Sequence, residues 1–238
     1  MEAIILAGGK GTRLGSVVKD LPKPMADVNG MPFLSHVLAR LSASGVDRVI
    51  LSVGYRFEDI KGYFGASFKG IAIDYVIEGE PLGTGGAVKK AIKRARQEDV
   101  FVLNGDTYFE VSLEGLMYSH KKRGADVTIS LKQMWNTGRY GTVTLDARGN
   151  VAGFNEKRFD GLGLVNAGFY LLKRETSELL DRYCPQKSFS FESDFLEANV
   201  KALKIAPYIG GGYFIDIGIP EDYERARREF KVLREGRV

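Results

Sequence analysis

The chain has 238 residues, 44% hydrophobic and 27% charged, with a formal net charge of +4. That length accommodates one large α/β domain, and so mild a positive charge suits small anionic substrates without demanding nucleic acid. No apolar run approaches the roughly 18 residues that a membrane span needs, and the single cysteine, Cys184, excludes an internal disulfide and fits a reducing compartment.

The first expected strand, residues 2–7, is the apolar run Ala3-Ile4-Ile5-Leu6-Ala7, and it opens straight into Gly8-Gly9-Lys10-Gly11-Thr12-Arg13. Glycine has no Cβ to hold an anion away from the backbone. A glycine turn at a strand end, bearing cations, is therefore a device for wrapping N–H groups around phosphates. The spacing is neither a Walker loop nor G-x-G-x-x-G. Leu21-Pro22-Lys23-Pro24-Met25 then sets one lysine between two prolines, whose rings restrict its backbone.

Further on, Phe33, Leu34, Val37, Leu38 and Leu41 share one face of a helix closed by Gly45. Strands follow at Arg48–Val53, Ile71–Ile77 and Asp99–Leu103, with a second helical face at Ala87, Val88, Ala91, Ile92 and Ala95. Strand–helix alternation over this stretch predicts a parallel sheet with helices on both faces, whose ligands bind beyond the carboxyl ends of the strands. After residue 124 the texture changes. Ala125–Leu131, Tyr140–Leu145, Val151–Asn155 and Leu164–Leu171 read as strands joined by short turns. Helical patterns return at Glu175–Tyr183, around Phe191–Lys201 and from Pro220 onward. The expectation is one domain over 1–238, with a nucleotide-binding half at 1–124 and a more antiparallel half at 125–238 for a second substrate.

Several residues in this frame can do chemistry. Asp106 follows the strand Val100–Asn104 and a glycine turn, so it either holds Mg²⁺ near phosphates or caps the next helix. Asp216, alone in Tyr213-Phe214-Ile215-Asp216-Ile217-Gly218, needs a cation or several donors. A second carboxylate on the same metal and a turn or salt-bridge role both meet that need. Glu156-Lys157 is either a sugar-hydroxyl acceptor beside a phosphate-holding lysine or a surface loop. Asn166 is either a core hydrogen-bonding post or a sugar contact, with Gly168 leaving room for a ligand. Glu80-Pro81-Leu82-Gly83-Thr84-Gly85-Gly86 is a second glycine loop, longer and more apolar than a phosphate cradle requires, and suited to a flat base. With two histidines, no G-x-S-x-G and no Cys/His cluster, zinc chemistry and serine or cysteine triads are excluded as readings. No basic stripe interleaved with aromatics suggests nucleic acid.

In this order the motifs resemble the sugar-1-phosphate nucleotidyltransferases, whose signature L-A-G-G-x-G-T-R-L followed by P-K-P is matched by Leu6 to Leu14 and Pro22-Lys23-Pro24. The resemblance continues through Leu82-Gly83-Thr84-Gly85, Gly105-Asp106, Glu156-Lys157, Asn166-Ala167-Gly168 and Asp216-Ile217-Gly218. Gly161 to Gly168 and Ser190 to Asp194 bring it nearest to the heptose 1-phosphate guanylyltransferase branch. It implies a Rossmann-like three-layer α/β sandwich, with a mainly parallel mixed sheet and a more antiparallel sugar-binding sub-lobe. It also implies a cytoplasmic enzyme that uses Mg²⁺, GTP and a sugar 1-phosphate, heptose or hexose.

Carried over residue by residue, Leu6, Ala7, Gly8, Gly9, Gly11, Thr12, Arg13, Glu80, Gly83 and Thr84 would contact the nucleotide. Arg13, Lys23 and Asp106 would be catalytic, and Asp106 and Asp216 would hold the metal. Gly141, Glu156, Lys157, Asn166 and Gly168 would bind the sugar phosphate. Glu80 would read the two adjacent donors of guanine, with Glu78 behind it, and Ser190, Glu192 or Asp194 would meet the extra hydroxyl of a heptose. The competing readings are a mannose 1-phosphate guanylyltransferase, a glucose 1-phosphate thymidylyl- or uridylyltransferase, and a catalytically inactive nucleotide-sugar sensor.

Overall fold

The computed structural model describes residues 1–9, 11, 21–135, 137–155 and 161–235. Arg13, Thr12, Glu156 and Lys157, singled out above, lie outside the described residues. Four strands coincide with the apolar runs: β1 (Glu2–Ala7), β2 (Arg48–Val53), β4 (Ile71–Ile77) and β5 (Asp99–Asn104). The two-residue β3 (Ser67–Phe68) lies antiparallel along the edge of β4. β1 is parallel to both β2 and β5, and β2 is parallel to β4. Between them run α1 (Phe33–Ala43), α2 (Phe57–Phe64) and α3 (Gly83–Ala91). Gly45, φ +82°, stands just past the end of α1, where the sequence placed a left-handed stop.

The second half is built differently. The long β10 (Gly163–Lys173) runs antiparallel to β5 on one side and to β7 (Val127–Met134) on the other. It also pairs with β8 (Thr142–Leu145), which forms a hairpin with β9 (Val151–Asn155). The edge strand β11 (Ile205–Gly210) joins β7 in parallel. Among the described residues one ten-stranded mixed sheet results, in the order β11-β7-β10-β5-β1-β2-β4-β3 with β8 and β9 attached beside β10. A separate pair, β6 (Thr107–Phe109) and β12 (Phe214–Asp216), runs antiparallel.

The sheet has a core on each face. Ala3, Ile5 and Ala7 of β1 join the cluster of α1, α2, α4 (Leu113–Arg123) and α6 (Pro220–Glu235). Ile4 enters the other cluster, with α3, α5 (Thr176–Tyr183) and the segment Phe191–Glu197. Alternate residues of a strand point to opposite faces, so burial on both sides requires the uninterrupted apolar run seen in the sequence. α6 docks through Phe230, whose ring meets Phe33, His36 and Tyr108 edge-on, and the Tyr223 hydroxyl donates to the Asp27 carbonyl at 2.6 Å.

Two of the differences from the expected elements have a local physical reason. β11 contains Pro207 and ends at Gly210, which argues against a strand. At the sheet edge, paired with β7 alone, the missing proline N–H removes no ladder bond on the open side. The helix expected around Phe191–Lys201 is a wide π-type turn over Phe191–Glu197, with the Ala198 N–H bonded to the Ser193 carbonyl at 3.1 Å.

Candidate active site

The carboxyl ends of β1 and β5 lie side by side, with Leu6 opposite Asn104. The Gly105 N–H donates to the Leu6 carbonyl at 2.8 Å, and a Cβ on Gly105 would lie 2.8 Å from that oxygen. Only a glycine turn lets the two strand ends close this far, and it delivers Asp106 to the mouth of the crevice. The Lys23 ammonium meets Asp106 there, Nζ to Oδ2 at 3.0 Å, with both side chains largely buried. Lys23 heads a single 3₁₀ turn, Lys23–Met25, entered from Pro22 in an extended conformation. The two prolines thus aim the side chain as well as restrict it. Gly11, φ +65°, seats the glycine loop on the Lys23 stem, where a Cβ would fall 2.3 Å from Cγ.

Asp216 arrives from the far end of the chain. β12 sets it opposite Thr107, and the Ile217 N–H donates to the Asp106 carbonyl at 3.0 Å. Burial and the neighbouring Asp106 carboxylate push the Asp216 carboxyl up to about 7, against the opposing pull of the Gly218 N–H at 2.7 Å and of Lys23. Two carboxylates forced together at the mouth of the crevice fit a divalent cation. Among the described residues no group of three or more His, Cys, Asp or Glu closes around a metal. The other ligands would therefore be phosphate oxygens and water, the usual coordination of phosphate-bound magnesium.

Lys23 and Asp106 line a cavity of about 560 Å³, walled by Leu6 to Gly9 on one side and Glu78 to Thr84 on the other. Glycines of the first loop divide their tasks. Gly8 lies over the Glu78 carboxylate, which also accepts from the Ser52 hydroxyl at 3.0 Å, whereas Gly9 has open space where a Cβ would stand. The second loop is not what its glycines suggest. Gly83, Gly85 and Gly86 are pressed against the backbone and ring of Lys187 and Phe189, and two backbone hydrogen bonds tie the loop to Phe189. These contacts pack the loop, and it meets the cavity through Glu80 to Thr84, Gly83 included. Glu80 is exposed and paired loosely with Lys187 at 3.4 Å.

Of the residues expected on the sugar side, Asn166 and Gly168 sit on β10 and Gly141 stands just before β8. Asn166 donates its N–H to the Gly141 carbonyl at 3.2 Å, and its side-chain Oδ1 accepts from the Gly168 N–H at 3.0 Å. Gly168, φ +63°, presses so closely on Asn104 that a Cβ would lie 2.5 Å from Nδ2. Asn104 Oδ1 has no hydrogen-bond donor among the described residues, and Asn104 lines the cavity. Ser190 and Asp194 are spent on a cap. Ser190 Oγ accepts from the Ser193 N–H, and Asp194 accepts from the Ser190 N–H at 2.7 Å.

Residues the sequence did not point to are Ser52, Gly54 and Tyr55, at the end of β2. The Tyr55 N–H donates to the Gly8 carbonyl at 3.3 Å. Their one signal was a glycine following a buried strand. His36 and His120 lie in structural contacts, with ring nitrogens 2.9 Å from the Val28 carbonyl and 2.8 Å from the Thr128 hydroxyl.

The family profile of the nucleotidyl transferases matches residues 2–231. The chain belongs to that family. The D-glycero-α-D-manno-heptose 1-phosphate guanylyltransferase of Aneurinibacillus thermoaerophilus is 47% identical to this nucleotidyltransferase, over 97% of this chain and 99% of its own. The Campylobacter jejuni enzyme of the same name is 48% identical, over 94% and 97%. Among solved structures, HddC from Yersinia pseudotuberculosis superposes with a TM-score of 0.86 at 39% identity, covering 96% of this chain and 99% of that one. The same protein complexed with GMP-PN gives a TM-score of 0.84. The Rossmann-like α/β architecture and the nucleotidyltransferase class expected from the motifs are both borne out. In this nucleotidyltransferase no helix among the described residues is long and apolar enough to cross a membrane.

Proposed function

We propose that the enzyme transfers the guanylyl group of GTP to D-glycero-α-D-manno-heptose 1-phosphate, with 1–124 holding the nucleotide and 125–238 the sugar phosphate. The observation that carries this reading is the Lys23–Asp106 pair lining a cavity walled by the two glycine loops, with Asp216 beside Asp106. An oxygen of the sugar phosphate attacks the α-phosphorus of GTP. One P–O bond forms, the α–β bridging bond breaks, and its electron pair leaves on pyrophosphate. The nucleophile is a phosphate monoester with a second pKa near ~6, so it arrives already ionised and requires no base.

The difficulty is bringing two polyanions into line, and fixed cations and positioning meet it; oriented reactants save roughly 7–11 kcal/mol of barrier. Lys23 bridges the attacking and α-phosphates, and Arg13, outside the described residues, holds the triphosphate. Asp106 and Asp216 would hold Mg²⁺, which neutralises phosphate charge when bound. Asn166 and Glu156 read sugar hydroxyls, and Lys157 holds the phosphate of the incoming sugar. The buried free thiol of Cys184 supports a reducing, cytoplasmic setting.

Four nucleoside triphosphates assayed against heptose, mannose and glucose 1-phosphates, with pyrophosphate release as readout, test the proposal. GTP with the heptose 1-phosphate is expected to give the highest kcat/KM, and a higher value for any other pair overturns it. Glu80 is the proposed reader of guanine N1–H and its 2-amino group. Glu80→Gln is expected to cut the preference for GTP over UTP and dTTP at least tenfold, because a site built on hydrogen bonds discriminates through them. An unchanged preference would shift that role to Glu78.

A further inference from the structure

Glu192 stands between the two substrate half-sites, and its carboxylate is fully engaged. Oε2 accepts from the Thr84 hydroxyl at 2.8 Å and from the Ser190 hydroxyl at 3.3 Å; Oε1 accepts from the Tyr170 hydroxyl at 3.0 Å. Thr84 belongs to the loop that walls the nucleotide cavity, and its oxygen also accepts from the Phe191 N–H at 2.8 Å. Tyr170 is wholly buried on β10, and its oxygen accepts from Asn166 Nδ2 at 2.9 Å.

The direction of these bonds is forced. A carboxylate only accepts, so Tyr170 must donate to it. Burial and the Glu192 charge hold the Tyr170 hydroxyl protonated, well above the ordinary tyrosine range. With its one proton committed, the Tyr170 oxygen can only accept, so Asn166 must turn its amide nitrogen toward it. The Gly168 N–H requires Oδ1 at the other end. Asn166 is thereby locked in one of its two amide orientations, leaving one N–H and one lone pair of known position for a ligand.

We infer that Glu192 is a positioning residue for the sugar phosphate: through Tyr170 it holds the Nδ2 end of Asn166, whose Oδ1 end the Gly168 N–H fixes, and ties that placement to the nucleotide loop at Thr84. The inference rests on the proposed role of Asn166 in sugar binding. It assigns the Phe-Glu-Ser segment a part in the reaction without any contact to the heptose. A neutral amide at 192 could donate to Tyr170 and turn the tyrosine proton toward Asn166 Nδ2, removing one of the two contacts that hold the amide and leaving the Gly168 N–H to hold it alone.

The test is steady-state kinetics on the full chain with each substrate varied in turn. Glu192→Gln is expected to raise the KM for the sugar phosphate about five- to tenfold, with the KM for GTP and the melting temperature nearly unchanged, as for one misdirected hydrogen-bond pair. Tyr170→Phe, which cuts the relay in the middle, is expected to reproduce the shift. The double variant is expected to add nothing further, since both act through one chain of bonds. An unchanged sugar-phosphate KM, equal rises in both KM values, or additive effects would each overturn the inference. Should Glu192→Gln fail to fold, Tyr170→Phe alone decides it. A wild-type enzyme with no transfer to any sugar phosphate would instead sink the proposed function itself.

Discussion

Lys23→Ala is expected to lower kcat by about 10²–10⁴-fold, the range for removing one fixed charge from a transition state that gathers negative charge. The effect on folding should be small. Lys23 sits at the rim of the crevice and supports little apolar packing; its stem underlies Gly11, and its ammonium pairs with Asp106 alone among the described carboxylates. A single-turnover assay with saturating GTP, beside a melting curve, separates the two. A variant that melts with the wild type yet keeps turnover within tenfold would remove Lys23 from the chemistry. Lys23→Arg should not rescue fully, because a planar fork cannot occupy the space of a compact ammonium beneath the glycine loop.

Asp216→Asn has the opposite signature in stability. The folded carboxyl is raised to about 7 from an ordinary value of 3.8. Between those values the folded state holds more protons than the unfolded chain, so stability falls as pH rises through that window and levels off above it. Removing the charge abolishes the loss. Without divalent cation, the wild type is expected to melt progressively lower from pH 5 to pH 8. Asp216→Asn is expected to escape that contribution and be more stable at pH 8, on the order of 1–2 kcal/mol after solvent screening. Turnover should fall at least about 10²-fold. Magnesium should raise the wild-type melting temperature more at pH 8 than at pH 6, because protons compete for the same oxygens, and should do little for the variant. A less stable Asp216→Asn at pH 8, or one with ordinary turnover, contradicts the assignment. A site that stores carboxylate repulsion for a cation sacrifices stability until that cation arrives.

The parallel half of the fold was legible because its signals are local and mutually consistent. β1, β2 and β5 are short apolar runs buried on both faces, β4 alternates buried and exposed residues, and no helix competes for any of them. The unanticipated elements lack such a signal. α4 has a largely polar helical surface and rests on its ends, a Ser112 cap and a left-handed Gly124. β11 carries a proline, and β6 and β12 are three residues each and pair only because distant chain segments meet. The π-type turn at Phe191 keeps the apolar spacing of a helix while its hydrogen bonds follow another pattern.

The site divides along the same line. Gly8 to Gly11, Lys23 and Asp106 are determined by the sequence itself, because a strand end, its turn and a proline-flanked lysine are settled within a few residues of backbone sterics. The second glycine loop carried more than its sequence showed: its glycines also meet Phe189 and Lys187 closely, while Gly83 lines the cavity. Only the tertiary structure decided that Asp216 would stand against Asp106, that Asn166 would be held by Tyr170, and that Glu192 would join Thr84 to both. Those relations are strand register and side-chain direction between remote segments. A one-residue slip in pairing would turn Asp216, Asn166 or Tyr170 to the other face, and no local pattern records which register wins.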